Sequence, residues 1–183
     1  MKGVHESAAK YDIKLDTLSP NVMKAKYPQI KIPDDYEKLF EPEAGFITPE
    51  RAILLYTDKA LQSGAVIKTK VKVLRWDKTK DGIEVKTSAG ITYSAKKLIV
   101  TAGAWAGKMM PGLSSSLKVT RQILAWVIPK KSLMFELGKL PCWTIADDAK
   151  PGIFYGFPVL PAGKFEGPIG FKLAHHYHGL VSD

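Results

Sequence analysis

Between Ala65 and Ala95 apolar and polar residues alternate, and the run is broken at Asp81-Gly82 and again at Ala89-Gly90. A side-chain period of two belongs to a strand with one covered face, and short glycine turns fold such strands back antiparallel. The segments AVIKTKVKVLRWD, GIEVKT and ITYSA therefore predict a run of antiparallel strands. Lys68, Lys70 and Lys72 alternate along the first of them and form its solvated face. This placement bears on the net charge of +9, which raises the question of phosphate binding. Spread along a sheet face, and without an RNP-like aromatic motif, zinc-finger spacing or recognition helix, the lysines argue against nucleic acid as a partner.

Helical signals precede the meander. Ser19 is placed to cap a short helix within Asp16 to Lys26, with Pro20 at its first position. Pro28 and Pro33 end regular structure, and Asp34 to Tyr36 read as a loop. The clearest helix runs from Pro49 to about Ser63, opened by Thr48 and closed by Gly64, with Ile53, Tyr56, Ala60 and Leu61 as its apolar face. After the meander, KKLIVTAGAWAGKMM predicts a strand at Leu98 to Val100, a turn at Gly103 and a short helix from about Ala104. The chain then turns β-rich, with strands expected over Val119 to Ile128, Thr144 to Ala146, Ile153 to Phe157 and Ile169 to Ala174. Helices mixed with antiparallel strands indicate an α+β fold rather than an alternating doubly wound one.

With 183 residues, 45% of them hydrophobic and 25% charged, the chain is long enough to bury a core and is of ordinary globular composition. No run of about 18 apolar residues would span a membrane, and Met1 to Lys10 lack an apolar signal stretch; the expected location is the cytoplasm. Cys142 is the single cysteine. It reads as a buried thiol, with no partner for a disulfide and no neighbouring ligands for zinc. His176 and His178 alternate along a strand, but no carboxylate pair accompanies them, and no metal is expected.

Three stretches, LFEPEAGFITPERAI from Leu39, AKKLIVTAGAWAGKMMP from Ala95, and GIFYGFP from Gly152 followed by IGFKLAHH ending at His176, resemble the flavoproteins of the D-amino-acid-oxidase type. The likeness is to the branch of monomeric sarcosine oxidase and N-methyltryptophan oxidase, and it extends from about Tyr11 to Gly179. It implies an α+β substrate-binding domain with a mixed, largely antiparallel sheet, joined to part of an FAD-binding domain that includes the β-meander. The implied division is 1–48 and 114–183 for the substrate domain and 49–113 for the flavin domain. The family's opening strand and GxGxxG turn, which seats the FAD pyrophosphate on a helix N-terminus, have no counterpart in the sequence. Nor has the family's covalent flavin cysteine, since Cys142 is not at that position. The chain is accordingly expected to be an internal segment whose partners are the remaining N- and C-terminal portions of such an enzyme.

The resemblance also implies roles. Lys172 stands at the position of the lysine that promotes oxygen reduction, His176 at the active-site histidine and Tyr155 at the pocket tyrosine. Val73, Ala102, Gly103 and Trp105 stand where the family's chain passes the cofactor; for Trp105 a core anchor is an equal reading. Arg121 and Gln122 match a pair on a sheet strand and are taken as structural. The implied activity is oxidation of the C–N bond of an N-methyl or secondary amino acid to an imine, with oxygen reduced to peroxide, and the isolated segment is expected to be inactive. The alternatives are a flavin-dependent dehydrogenase on the same scaffold, in which a departure at Lys172 would be expected, and a small-molecule-binding or interaction module that has lost catalysis.

Overall fold

The structure, a computed structural model, describes residues 2–147, 149–165 and 167–176. Its elements in chain order are α1 (Lys2–Tyr11), β1 (Asp16–Thr17), α2 (Pro20–Lys26), β2 (Leu39–Phe40), α3 (Pro49–Gln62), β3 (Val73–Lys78), β4 (Ile83–Thr87) and β5 (Thr92–Ala95). They continue with α4 (Ala106–Met109), β6 (Leu124–Val127), β7 (Trp143–Asp147), β8 (Lys150–Phe157) and β9 (Phe171–His176). The described residues form two compact units, 2–55 with 122–176 and 56–121, the division falling within α3.

The first unit is built on the antiparallel sheet β6-β9-β8-β7. Because strand residues alternate between faces, the register fixes two rows of side chains. Phe154 opposes His175, and Phe171 and Leu173 oppose Val127 and Ala125. On this face Phe135 packs 5.1 Å and Trp143 6.1 Å from Phe171, ring centre to ring centre, and Leu140 is 2% exposed. Gln29 ties the N-terminal arm to this unit by donating to the carbonyls of Met134 (2.8 Å) and Lys139 (3.1 Å).

Local chemistry explains the short elements. Ser19 Oγ accepts from the Val22 N–H at 3.3 Å and Pro20 opens α2, as the cap signal predicts. In the loop after α2, Lys38 is buried, and its ammonium donates to the carbonyls of Pro33, Asp34 and Tyr36. The Pro33 carbonyl also accepts from the Tyr36 N–H at 3.3 Å, so a backbone turn and one side chain together fix the loop. Beside it, Asp34 is held below its ordinary carboxyl value of 3.8, first by the hydrogen bond from Lys24, which outweighs the opposing effect of desolvation, and then by the charges of Lys24 and Lys38. A lowered folded value means that the pair's small stabilisation is present above the ordinary value and is lost as pH falls through the folded one. Lys24→Ala is expected to move the Asp34 carboxyl titration upward, which ¹³C NMR of that carboxyl against pH will show.

The second unit carries the antiparallel meander β3-β4-β5, and the Trp76 indole donates to the Met109 carbonyl at 2.8 Å, tying α4 to β3. The helix at Pro49 and its stop agree with expectation: Ala65 N–H reaches the Ala60 carbonyl and Gly64 N–H that of Leu61, the paired bonds of a Schellman end.

Four expectations are corrected. The first meander strand begins at Val73, not Ala65, and Lys68 and Lys72 lie before it. Lys70 has φ 57°, a left-handed conformation that interrupts any strand through it. Leu98–Val100 forms no strand, since a strand exists only where a neighbour shares its hydrogen bonds, and none of the described residues pairs with it; Ile99 is 85% exposed. The run at Val119 shortens to Leu124–Val127, leaving Arg121 and Gln122 ahead of β6. Cys142 is half-buried rather than buried.

The expected core is also thinner than composition suggests. Ile53, Tyr56 and Leu61 on the apolar face of α3 are exposed, and the buried apolar side chains among the described residues are Tyr27, Leu140, Pro158 and Ala174. Apolar patterning asks for a cover that these residues do not supply to one another. No helix among the described residues is long and apolar enough to cross a membrane.

Candidate functional site

Three residues singled out in the sequence share one face of the four-stranded sheet. Lys172, Ala174 and His176 alternate along β9. Tyr155 on β8 lies directly opposite Ala174, Phe157 opposite Lys172 and Ile153 opposite His176. On the other side of β9, Trp126 lies opposite Lys172 and Leu124 opposite Ala174. Lys172 and His176 are four residues apart, about 13 Å along a strand, with Tyr155 between them on the neighbouring strand.

Lys172 lines a hollow of about 80 Å³ whose wall includes Phe46, Ile47, Thr48, Trp126 and Phe157. That is room for a few waters or a very small organic molecule, well below the size of a complete drug-sized site. Tyr155 and His176 share the sheet face but do not line this hollow. Phe157 links Tyr155 to it: the Tyr155 ring meets Phe157 edge-on at 5.9 Å, and Phe46 meets Phe157 at 5.4 Å. The loop before α3 thus carries Phe46 onto the sheet. Glu50, in the first turn of α3, brings a carboxylate to the same hollow.

The Lys172 ammonium sits 5.2 Å from the Trp126 ring centre and 5.3 Å from that of Phe157. Lys172 and Tyr155 are half-buried and His176 is exposed. His175 points to the opposite face, stacked on Phe154 at 4.2 Å with Nε2 2.9 Å from the Pro151 carbonyl. His178 lies outside the described residues, and among those described no cluster of three or more metal-ligating side chains occurs.

The positions expected to meet a cofactor lie in the second unit. Val73 begins β3 and is 39% exposed. Ala102 is half-buried and precedes a single 3-10 turn over Gly103–Trp105. Gly103 has φ 53°, with nothing within 4 Å of the place a Cβ would take, so its backbone is open to an approaching group. Trp105 is 67% exposed.

Nothing in the sequence alone marks Phe46, Trp126 or Phe157 as site residues. Their signal is the aromatic in ILAWV and in YGFP, which acquires meaning only when the register sets both opposite Lys172.

Comparison with known proteins agrees with this architecture. Residues 1–159 match the family model described as DAO, FAD dependent oxidoreductase. The monomeric sarcosine oxidase of Bacillus sp. (strain B-0618) is 29% identical over 180 residues, covering 97% of this chain and 44% of that protein. The monomeric sarcosine oxidase of Streptomyces avermitilis is 28% identical, over 98% of this chain and 45% of that protein. The N-methyl-L-tryptophan oxidase of Yersinia pestis (strain Pestoides F) is 29% identical, over 91% of this chain and 45% of that protein. The chain thus spans a little under half the length of these relatives. Among solved structures, the open form of NikD, an unusual amino acid oxidase essential for nikkomycin biosynthesis, shares the fold at a TM-score of 0.70 and 16% identity, over 100% of this chain and 46% of that one. The α+β arrangement, the residues matched and the relatives agree: this chain belongs to the DAO family of FAD dependent oxidoreductases.

Proposed function

We propose that the chain supplies the substrate-facing sheet, and a strip of the flavin-binding part, of an oxidase acting on N-methyl or other small secondary amino acids. The observation that carries this reading is the Lys172 ammonium, held by aromatic rings beside a small hollow on the sheet face that also bears Tyr155 and His176.

The residues present fit FAD in part. A flat ring suits a wall of Phe46, Trp126 and Phe157 in the first unit; in the second unit, taken by itself, the backbone at Gly103 is open beside exposed Trp105. No glycine-rich turn in the sequence would cradle the pyrophosphate. Bound FAD would supply the redox chemistry, uptake of a hydride equivalent from the carbon beside the amine nitrogen and transfer of its electrons to oxygen, with the imine and hydrogen peroxide as products. The chain's own residues do the rest. Lys172 keeps a positive charge fixed at the hollow, where it stabilises negative charge developing on oxygen in a site poor in water. Tyr155 and His176 offer a phenol and an imidazole to the amine or carboxylate of the substrate, and the half-buried Tyr155 ring keeps water from its flank. The apolar walls favour the uncharged amine, the form that can give up hydride.

The exposed apolar surface bears on partners. The exposed Ile53, Leu54, Leu55, Tyr56 and Leu61 of α3 fit a chain whose α3 face is covered by the remaining portions of such an enzyme, whether joined to it or separate. Mixed with FAD and sarcosine alone, the chain is therefore expected to form no peroxide. Combined with the portions of the Bacillus sarcosine oxidase that it does not match, it is expected to retain flavin and produce peroxide. Brisk turnover by the chain alone, or no flavin retention in the combination, would overturn this reading.

A further inference from the structure

We infer that Trp126 and Phe157 are positioning residues that clamp the Lys172 ammonium from both sides. The inference rests on the reading of Lys172 as the charge facing the reaction, and it names what holds that charge in place.

The geometry follows from the register. β9 is flanked by β6 and β8, and Lys172 is directly opposite Trp126 on one neighbour and Phe157 on the other. The three side chains therefore form one row across the sheet, with the flexible lysine in the middle. Its Nζ lies 5.2 Å from one ring centre and 5.3 Å from the other, both inside the distance of about 6 Å at which a ring face attracts a cation. A lysine on an open sheet would sweep through many rotamers; rings on both sides leave it a narrow range.

The kind of anchor also matters. No carboxylate among the described residues lies within ion-pair distance of Lys172. A carboxylate would fix the ammonium but cancel its field. Two aromatic rings fix it and leave the charge available, while their bulk removes water from its flanks. Phe157 is itself braced by Phe46 at 5.4 Å, so the clamp is supported from the loop that walls the hollow.

The test uses the full chain without flavin. Its lysines are reductively dimethylated with ¹³C, and the Lys172 signal is assigned by its loss in Lys172→Arg. Shielding by two rings is expected to set the Lys172 N-methyl protons upfield of the other lysines. Trp126→Leu and Phe157→Leu should each reduce that displacement by about half, and the double variant should abolish it, whereas Trp126→Phe and Phe157→Tyr should keep it. A Lys172 signal among the bulk lysines in the unaltered chain, or one unmoved by the leucine variants, would overturn the clamp. If a leucine variant does not fold, tryptophan emission decides: Lys172→Met should shift it and Lys172→Arg should not, while identical emission in the two would count against the clamp. Since neither measurement involves oxygen or flavin, a Lys172→Met variant with full turnover in the assembled oxidase would strike the proposed function and leave the clamp standing.

Discussion

Replacing Lys172 with methionine is expected to lower oxygen consumption by an oxidase assembled on this chain by about 100- to 1000-fold, the loss typical of removing one group aimed at developing negative charge. Methionine matches the lysine stem in length and can occupy the space between Trp126 and Phe157, so packing changes little while the charge disappears. The effect should be confined to the oxygen half of the reaction. Under anaerobic conditions the amine should still bleach the flavin at close to the unaltered rate, because Tyr155 and His176 rather than Lys172 are assigned to the amine and carboxylate. Stopped-flow absorbance of the two halves separates these outcomes. Equal losses in both would mean that Lys172 acts through the shape of the site, and no loss in either would remove the observation on which the oxidase reading stands.

Gly152→Ala is expected to destabilise the first unit by about 3 kcal/mol or more, from left-handed backbone strain and overpacking together. Gly152 has φ 85°, and a Cβ there would be driven into the backbone carbonyl of His176. The neighbour is the backbone of the last residue of β9, so it can yield only by opening the terminal pairing of Ile153 with His176. Gly103→Ala is the matched control. It carries a similar strain, at φ 53°, but nothing lies within 4 Å of the added carbon, and it should cost only about 1–2 kcal/mol. Urea unfolding followed at the tryptophans measures both, and equal midpoint shifts would show that the contact with β9 does not matter. A second glycine on β8 bears on the same strand: a Cβ at Gly156 would lie 2.8 Å from the Lys172 carbonyl oxygen and 2.5 Å from the Trp143 ring. The two glycines bracketing Tyr155 therefore let β8 lie close against β9 at the level of both His176 and Lys172.

These cases show what can be read at each level. Ser19 with Pro20 gave away the start of α2, Thr48, Pro49 and Gly64 the limits of α3, and the Asp81-Gly82 turn the β3-β4 hairpin, because caps and turns are settled by a few adjacent residues. The same rules miss the loop organised by Lys38 and the helix α1, which no cap announces. They also overextend the first meander strand, because alternation in AVIKTKVKV says nothing of the left-handed turn at Lys70.

By itself the sequence determined the α+β class, most of the elements and the family, since motif order and period are properties of neighbours along the chain. Only the tertiary structure decided that Tyr155, Lys172 and His176 share a face, that Trp126 and Phe157 flank the lysine, and that the apolar side of α3 stays open to solvent. Strand register and cover are set by residues tens of positions apart, and a shift of one residue in either neighbour of β9 would have turned the same side chains to the opposite face.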